Sequence, residues 1–393
     1  MNKTLLLLAT LGFHSIRAQE IDFSASVGLE FRGFTQAPLI DNDSNRILVS
    51  GFIEPEAKWR SEDRKKRFSF VGFGRYDEQD SERTHLDVRE LYWSFNSGDW
   101  TTLIGINKVF WGVTESVHLV DVINQTDLVE DFDQEAKLGQ PMIHFSNQKE
   151  WGKLDFYVLP YFRERTFAST DGRFNFGLNV ADDAIYESSD EENHVDLAFR
   201  YSHYFGDVDF GFHVFDGTNR EPTLTPNKGF TELVANYSQM TQVGVDMQYT
   251  NEAWLWKFES IQRSTDVDNF FAAVAGFEYT LYQINDNVHD LGLLFEYQHD
   301  DRNELSAPTI ADNDVFLAAR YAFNDSQDTS ILAGIVVDTE NDTTFVNIEA
   351  ERRIGDNLSA ELRLRALTNV DESDTARAFA NDDYVQLGLS WYF

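Results

Sequence analysis

Carboxylates and apolar side chains share one segment of this chain, 111–139. Asp121, Asp127, Glu130, Asp131 and Asp133 supply the acids, and Val117, Leu119, Val120, Val122 and Ile123 supply the apolar surface. If the apolar run packs against a wall, the acids are left to face the space beyond it. Arg320, Arg363 and Arg365 carry the opposite charge far along the chain. Acids set against arginines across a gap select ions and charged solutes by their field, as charged rings do in channels. The plainer alternative is an exposed acidic loop.

Other chemistry finds little to work with. There is no Gly-x-Ser-x-Gly and no His-Glu-x-x-His, and the nine histidines are scattered, among them His85, His118, His144 and His194. His203 falls on the outward parity of its strand with no nucleophile beside it, so no Ser-His-acid triad is expected. The chain reads as a non-enzyme. With no cysteine it has neither a disulfide framework nor a thiolate metal site. The balance of 67 acidic to 32 basic residues, a net charge of -35, excludes nucleic acid as a partner. Acidic clusters such as Asp41, Asp43, Asp77, Glu78, Asp80, Asp182, Asp183, Asp190, Glu191 and Glu192 bind Ca²⁺ or Mg²⁺ weakly at best. Asp312-Asn313-Asp314 approaches a calcium loop in composition but lacks its glycine and closing glutamate. A solvated surface without a resident cofactor is the expectation.

Strands must position these groups. No long segment has a helical period, and apolar residues alternate instead. Val195, Leu197, Phe199, Tyr201, His203 and Phe205 share one face. Val243, Val245, Met247 and Tyr249 share another, as do Ala273, Ala275, Phe277, Tyr279 and Leu281. About 18 strands are expected, with 16 the nearest rival, because period-two runs of about 10 residues mark transmembrane strands. They fall near 21–34, 49–61, 66–76, 85–97, 99–110, 140–148, 150–162, 193–205, 207–217, 240–250, 253–263, 270–282, 288–299, 313–324, 328–338, 344–354, 357–367 and 384–393. Short turns such as Ser97-Gly98, Lys149-Glu150 and Gly206-Asp207 alternate with the long connections 111–139, 163–192, 218–239, 300–312 and 368–383. An even strand count puts both termini on one side.

The opposite parity is polar. It carries Asp196 and Arg200, Asp209, Asp246, Lys257 and Glu259, Glu278, Glu296, and Arg320. Later strands add Glu349, Glu351 and Arg353, then Glu361, Arg363 and Arg365. Apolar outside and charged inside suits a barrel in lipid around a wet lumen. Strand 85–97 breaks the pattern, because Asp87 and Arg89 share parity with Leu91, Trp93 and Phe95. Either they stand above the bilayer or a bulge shifts the register. Trp93, Trp100, Trp151, Trp254, Trp256 and Trp391 lie near the short turns, where an interfacial girdle belongs.

The two ends complete the reading. Lys3, the apolar run from Leu5 to Leu11 and the small Ala18 read as a signal peptide over 1–18. The run is too short for a spanning helix of about 20 apolar residues. Residues 19–393 then form a single barrel domain. Val385, Leu387, Leu389, Trp391 and Phe393 alternate to the last residue.

The chain resembles the porin-like outer-membrane β-barrels of Gram-negative bacteria, through its terminal Trp391-Tyr392-Phe393 and its alternation of short turns and long loops. It is similar, more narrowly, to a poorly characterised proteobacterial group with a Trp-Gly element after an early strand. Lys108-Val109-Phe110-Trp111-Gly112, Asp121-Val122-Ile123-Asn124, the segment from Met240 to Asp246 and the run from Trp254 to Glu259 carry that likeness. The resemblance implies an outer-membrane location, contact with lipid and lipopolysaccharide, delivery by the barrel assembly machinery and a small-solute substrate. The leading function is a channel for diffusion or uptake of small solutes, narrowed by 111–139. The alternatives are a gated importer of hydrophobic compounds and a structural or adhesive barrel with a closed lumen. Oligomeric state is left open.

Overall fold

The computed structural model describes residues 21–40, 45–309, 311–341, 343–372 and 374–393. The expected signal peptide, Asp41 and Asp43 lie outside the described residues.

The alternating segments form one closed antiparallel sheet of 18 strands. In chain order they are Asp22–Phe34, Ile47–Arg60, Lys66–Asp77, Leu86–Ser97, Trp100–Asn107, Gln140–Lys149, Gly152–Leu159, Asp196–Phe205, Val208–Thr218, Gln239–Asn251, Trp254–Ser264, Asn269–Leu281, Asp290–Asp300, Asp314–Ala322, Ser330–Asp338, Thr344–Ile354, Leu358–Thr368 and Tyr384–Tyr392. The first strand pairs with the second on one side and with the last on the other, which closes the ring and leaves no open edge. Both described chain ends lie at the same end of the barrel. Two-residue turns at 98–99 and 206–207 join strands at that end, and Gly98 and Gly206 take φ of 60° and 64° there. Such positive φ suits glycine and the tight hairpin.

Side-chain direction follows the alternation. Leu91, Trp93, Phe95, Ile104, Phe145, Phe156, Met247, Leu293, Leu317, Leu362 and Leu387 are exposed on the outer face. In water this apolar belt would be costly; in lipid the closed hydrogen-bond ladder is what a spanning structure requires. Trp93, Trp100, Trp151, Trp254, Trp256 and Trp391 are likewise exposed.

The irregular strand Leu86–Ser97 resolves into a bulge. Glu90 pairs with Val71 and Val88 with Gly72, so Arg89 has no partner across the ladder. The extra residue carries Asp87 and Arg89 to the inside while Leu91, Trp93 and Phe95 stay outside. At the end away from the termini, Ile185–Tyr186, Thr223–Pro226 and Leu233–Tyr237 form a small separate sheet between two long loops. No helix among the described residues is long and apolar enough to cross a membrane.

Candidate functional site: a loop folded into the lumen

The connection between Asn107 and Gln140 enters the barrel. Its apolar residues drive the entry. Trp111, Val120, Val122 and Ile123 are buried against Tyr92, Leu103, Met142, Tyr157, Leu159, Phe215, Met240, Ile261 and Phe270 of the inner wall. Trp111 packs on Tyr157 and His213, with the Arg200 guanidinium 5.1 Å from its ring centre. Asn124 clasps the two ends of the segment: it accepts from the Val109 amide at 2.8 Å and donates to the carbonyls of Asn107 and Leu138.

The tip crosses to the far wall and is held by two carboxylates. Glu259 accepts from the amides of Val113 at 2.6 Å and Thr114 at 3.0 Å, from the Thr114 hydroxyl at 2.7 Å and from the Val120 amide at 3.3 Å. Glu296 accepts from the amides of Glu115 and Ser116, each at 2.8 Å. These carboxylates serve backbone donors that would otherwise be buried unpaired. Glu115 in turn meets Arg320 at 2.5 Å and Lys257 at 3.5 Å, and Arg320 reaches Glu278 at 3.2 Å.

The returning arm is anchored by arginines. Asp127 is fully buried, bonded to Arg89 at 2.6 Å and to the Thr166 hydroxyl at 2.8 Å. Glu130 pairs with Arg75 at 2.6 Å, and Arg83 donates to the Val129 carbonyl at 2.9 Å. Glu30 lies beneath, within reach of Arg32, Arg75 and Arg83. Asp131 meets Arg363 at 2.6 Å, and Asp133 meets Arg365 at 2.7 Å. Phe132 packs among Phe34, Phe174 and Tyr384.

This geometry corrects part of the expected eyelet. Asp121, Asp127 and Glu130 do not face an opening. Asp121 is tied to the Trp111 amide and Lys137 inside the loop, and Asp127 and Glu130 are anchors in a dry arginine-rich pocket. Burial is the reason, because an acid beside a buried arginine is drawn out of the lumen. Asp131 and Asp133 meet Arg363 and Arg365, and Asp131 is itself buried by that contact. Arg320 instead takes Glu115, which the sequence reading had not singled out.

The wall residues divide by depth. Asp196 is buried and bonded to Arg220 at 2.6 Å, and Arg200 pairs with Asp246 at 2.8 Å. Glu349 reaches Arg365 at 2.9 Å, and Glu361 contacts Arg363. Asp209, Glu351 and Arg353 are exposed toward the terminus-side end, where Arg353 pairs with Asp328 at 3.2 Å. Glu30, Arg32 and Arg75 were missed, although their parity opposite Leu29, Phe31 and Tyr76 would have found them. Arg83 sits in a connection and gives no periodic signal.

Charge sets the pH range of this packing. Burial opposes ionisation of Asp127, but His85 at 3.5 Å and the Arg89 guanidinium at 2.6 Å outweigh it and hold its carboxyl at about 2. That anchor is therefore complete above the usual carboxylate value of 3.8 and fails only as pH falls through about 2. Burial likewise opposes the His118 cation, yet the Glu135 carboxylate at 3.3 Å and the Glu259 carboxylate at 4.0 Å raise it to about 10. The His118 contribution is complete below pH 6.5, shrinks as pH climbs from there, and is gone above about 10. Cleavage of the 113–120 tip by an alkali-stable protease is therefore expected to accelerate as pH climbs from 6.5 to about 10 and to level off above it. His118→Ala should abolish that dependence. A cleavage rate flat across this range would remove His118 from the latch.

His85, Asp127 and Glu130 bring three ligand-type atoms together. Arg89 and Arg75 already occupy the two carboxylates, so this cluster is a set of ion pairs rather than a metal centre. Near the outer mouth, a cavity of about 240 Å³ is lined by Tyr186, Glu221, Tyr237, Arg263 and Arg302 among others. Burial works against ionisation of Glu221, but Arg263, Arg302 and Arg165 drive its carboxyl below the usual range.

The loop fills only one side. Glu259, His213 and Gln242 on its packed side have no exposure. On the opposite wall the inward side chains of Arg320, Glu349, Glu361 and Arg363 are 36%, 34%, 38% and 27% exposed. Inward side chains along the strands from 314 to 368 therefore keep contact with water beside the loop.

No protein-family model matches the chain, and no curated protein matches it. Solved structures do. Wzi of Escherichia coli, described as an outer-membrane carbohydrate-binding β-barrel involved in group 1 capsule assembly, is 9% identical. The match covers 94% of this chain and 84% of that one with a TM-score of 0.56. OccK3 (OpdO) of Pseudomonas aeruginosa is 10% identical over 95% of this chain and 96% of its own, with a TM-score of 0.54. A mutant of the Rh. blastica porin covers 95% and 100%, at 11% identity and a TM-score of 0.46. The first two likenesses establish the fold: this chain is a β-barrel of the outer-membrane type, and its apolar belt sets it across a lipid bilayer.

Proposed function

We propose that the protein is an outer-membrane channel for small hydrophilic solutes. In this reading 108–139 is a fixed partial plug, and the passage beside it prefers cations or solutes bearing a cationic group. One observation carries the reading: inward-facing charged side chains on the strands from 314 to 368 stay accessible, whereas Glu259, His213 and Gln242 on the other side are sealed by the loop. The sign of the preference follows from the local balance. Arg320 is shared by Glu115 and Glu278, and Arg365 by Asp131, Asp133 and Glu349. Carboxylates therefore outnumber the cations they face, which lowers the energy of a passing positive charge. A path for hydrophobic compounds is disfavoured, because Trp111, Val120, Val122 and Ile123 of the loop are buried against the wall, and Phe110 is the large apolar side chain the segment leaves exposed. Lipid and lipopolysaccharide would surround the barrel, and the assembly machinery would receive the strand ending at Phe393.

The reversal potential in a planar bilayer under a KCl gradient tests this. Cation preference is expected, weakening as salt rises. Glu349→Gln combined with Glu361→Gln should reduce it with little change in barrel stability, since both side chains are more than a third exposed on one face. Anion preference, or a folded barrel that never conducts, would refute the proposal.

A further inference from the structure

Three aspartates converge at the outer rim where the strand Asp314–Ala322 begins and its neighbour Ser330–Asp338 ends. Asp314 and Asp338 are direct cross-strand partners. Like charges directly opposite each other destabilise a sheet, so this pairing costs energy unless something compensates it. Asp312 joins them from the preceding loop, and carboxylate oxygens of all three lie within 4.8 Å of one another. Asp314 is 2% exposed and Asp338 9% exposed. Among the described residues no lysine, arginine or histidine forms an ion pair with any of the three.

The orientation of their oxygens adds an independent sign. Asp338 is supported by its own turn: it accepts from the amides of Glu340 at 2.7 Å and Asn341 at 3.1 Å, and from the Asn341 side chain at 3.0 Å. Asp312 accepts from the Asn313 amide at 2.7 Å. Asp314 is less well served, with the Asp312 backbone as its hydrogen-bond partner. Its Oδ2 is buried and accepts no hydrogen bond among the described residues. A buried carboxylate oxygen without a donor is strongly destabilising unless a proton or a cation neutralises it.

We propose that Asp312, Asp314 and Asp338 form a Ca²⁺ site. The donors are all hard oxygens, which excludes the softer transition metals as first choice. Ca²⁺ binds oxygens at about 2.3–2.6 Å in flexible geometry, so oxygens up to roughly 5 Å apart can share one ion. Mg²⁺ demands a tighter, near-octahedral shell and gives up its waters reluctantly, so it is the weaker ligand here. The bound ion would join Asp312 to the strand ends at Asp314 and Asp338, at the rim of the accessible side of the lumen. The site does not depend on the channel reading.

Calorimetric titration of the purified, detergent-folded barrel with CaCl₂ after chelation tests it, alongside the thermal unfolding midpoint. One Ca²⁺ per chain, a raised midpoint and weaker Mg²⁺ binding are expected. Asp314→Asn and Asp312→Asn should each lower Ca²⁺ affinity about tenfold or more, because affinity follows ligand charge. Without Ca²⁺, Asp314→Asn should melt higher than the parent, since it relieves the repulsion with Asp338. That outcome separates lost binding from lost folding, and Asp312→Asn, in a loop, leaves the ladder intact. No Ca²⁺-dependent heat or midpoint shift in the parent, undiminished binding in both variants, or Mg²⁺ binding as tight as Ca²⁺ would each overturn the site.

Discussion

Deletion of residues 117–133 is expected to raise single-channel conductance several-fold. A barrel of 18 strands encloses an aqueous space unless something fills it. Here 108–139 supplies filling, held by Glu259 and Glu296 on one wall and by Arg75, Arg89, Arg363 and Arg365 on the other, with Thr166 and Phe174 of the next long loop packed on it. The deletion removes Val120, Val122 and Ile123 from the lumen together with the acids of the returning arm. The strand ladders use none of these residues, so the barrel should still form. The arginines released from Asp127 and Glu130 would be solvated by the water that enters, and Arg75 and Arg83 keep Glu30. Planar-bilayer recording of both proteins gives the answer. Equal conductance would mean that the loop does not limit flow.

Glu259→Ala is expected to release the tip without removing it. The side chain serves donors on Val113, Thr114 and Val120 from a position with no exposure. Each donor left buried and unpaired costs about 1–3 kcal/mol. That sum exceeds what a short tip can recover from its own packing, so the tip should leave the wall and let water in. The expected result is larger, flickering conductance and new protease cleavage between 113 and 120, with little change in the unfolding of the barrel itself. Glu259→Gln keeps an acceptor oxygen but loses the charge that pairs with His118, and should fall between the two. Wild-type current and protease resistance in Glu259→Ala would show that the tip is held by apolar packing alone.

Much of this architecture was legible in the amino-acid order. Burial in a strand has a period of two, so alternation such as Leu197, Phe199 and Tyr201 against Asp196 and Arg200 reports local environment directly. All 18 expected strands recur as strands, because each segment alone carries its own pattern and the turns between them. The same parity placed Glu259, Glu278, Glu296 and Arg320 inside. It also identified an apolar and acidic loop unsuited to open water.

Tertiary structure decided the rest. Parity left Asp87 and Arg89 ambiguous, since a bulge depends on how two strands register, not on either one alone. Composition grouped Asp121, Asp127, Glu130, Asp131 and Asp133 together, yet all but Asp121 acquired their roles from partners outside the loop. Asp127 meets Arg89 and Thr166, Asp131 meets Arg363, and the tip amides meet Glu259, 146 residues beyond Val113. Nothing in a loop's own order states which wall it will cross to. That choice is made by closure of the barrel, which brings separated charges within a few ångströms and makes burial, rather than charge, the arbiter of which acids face water.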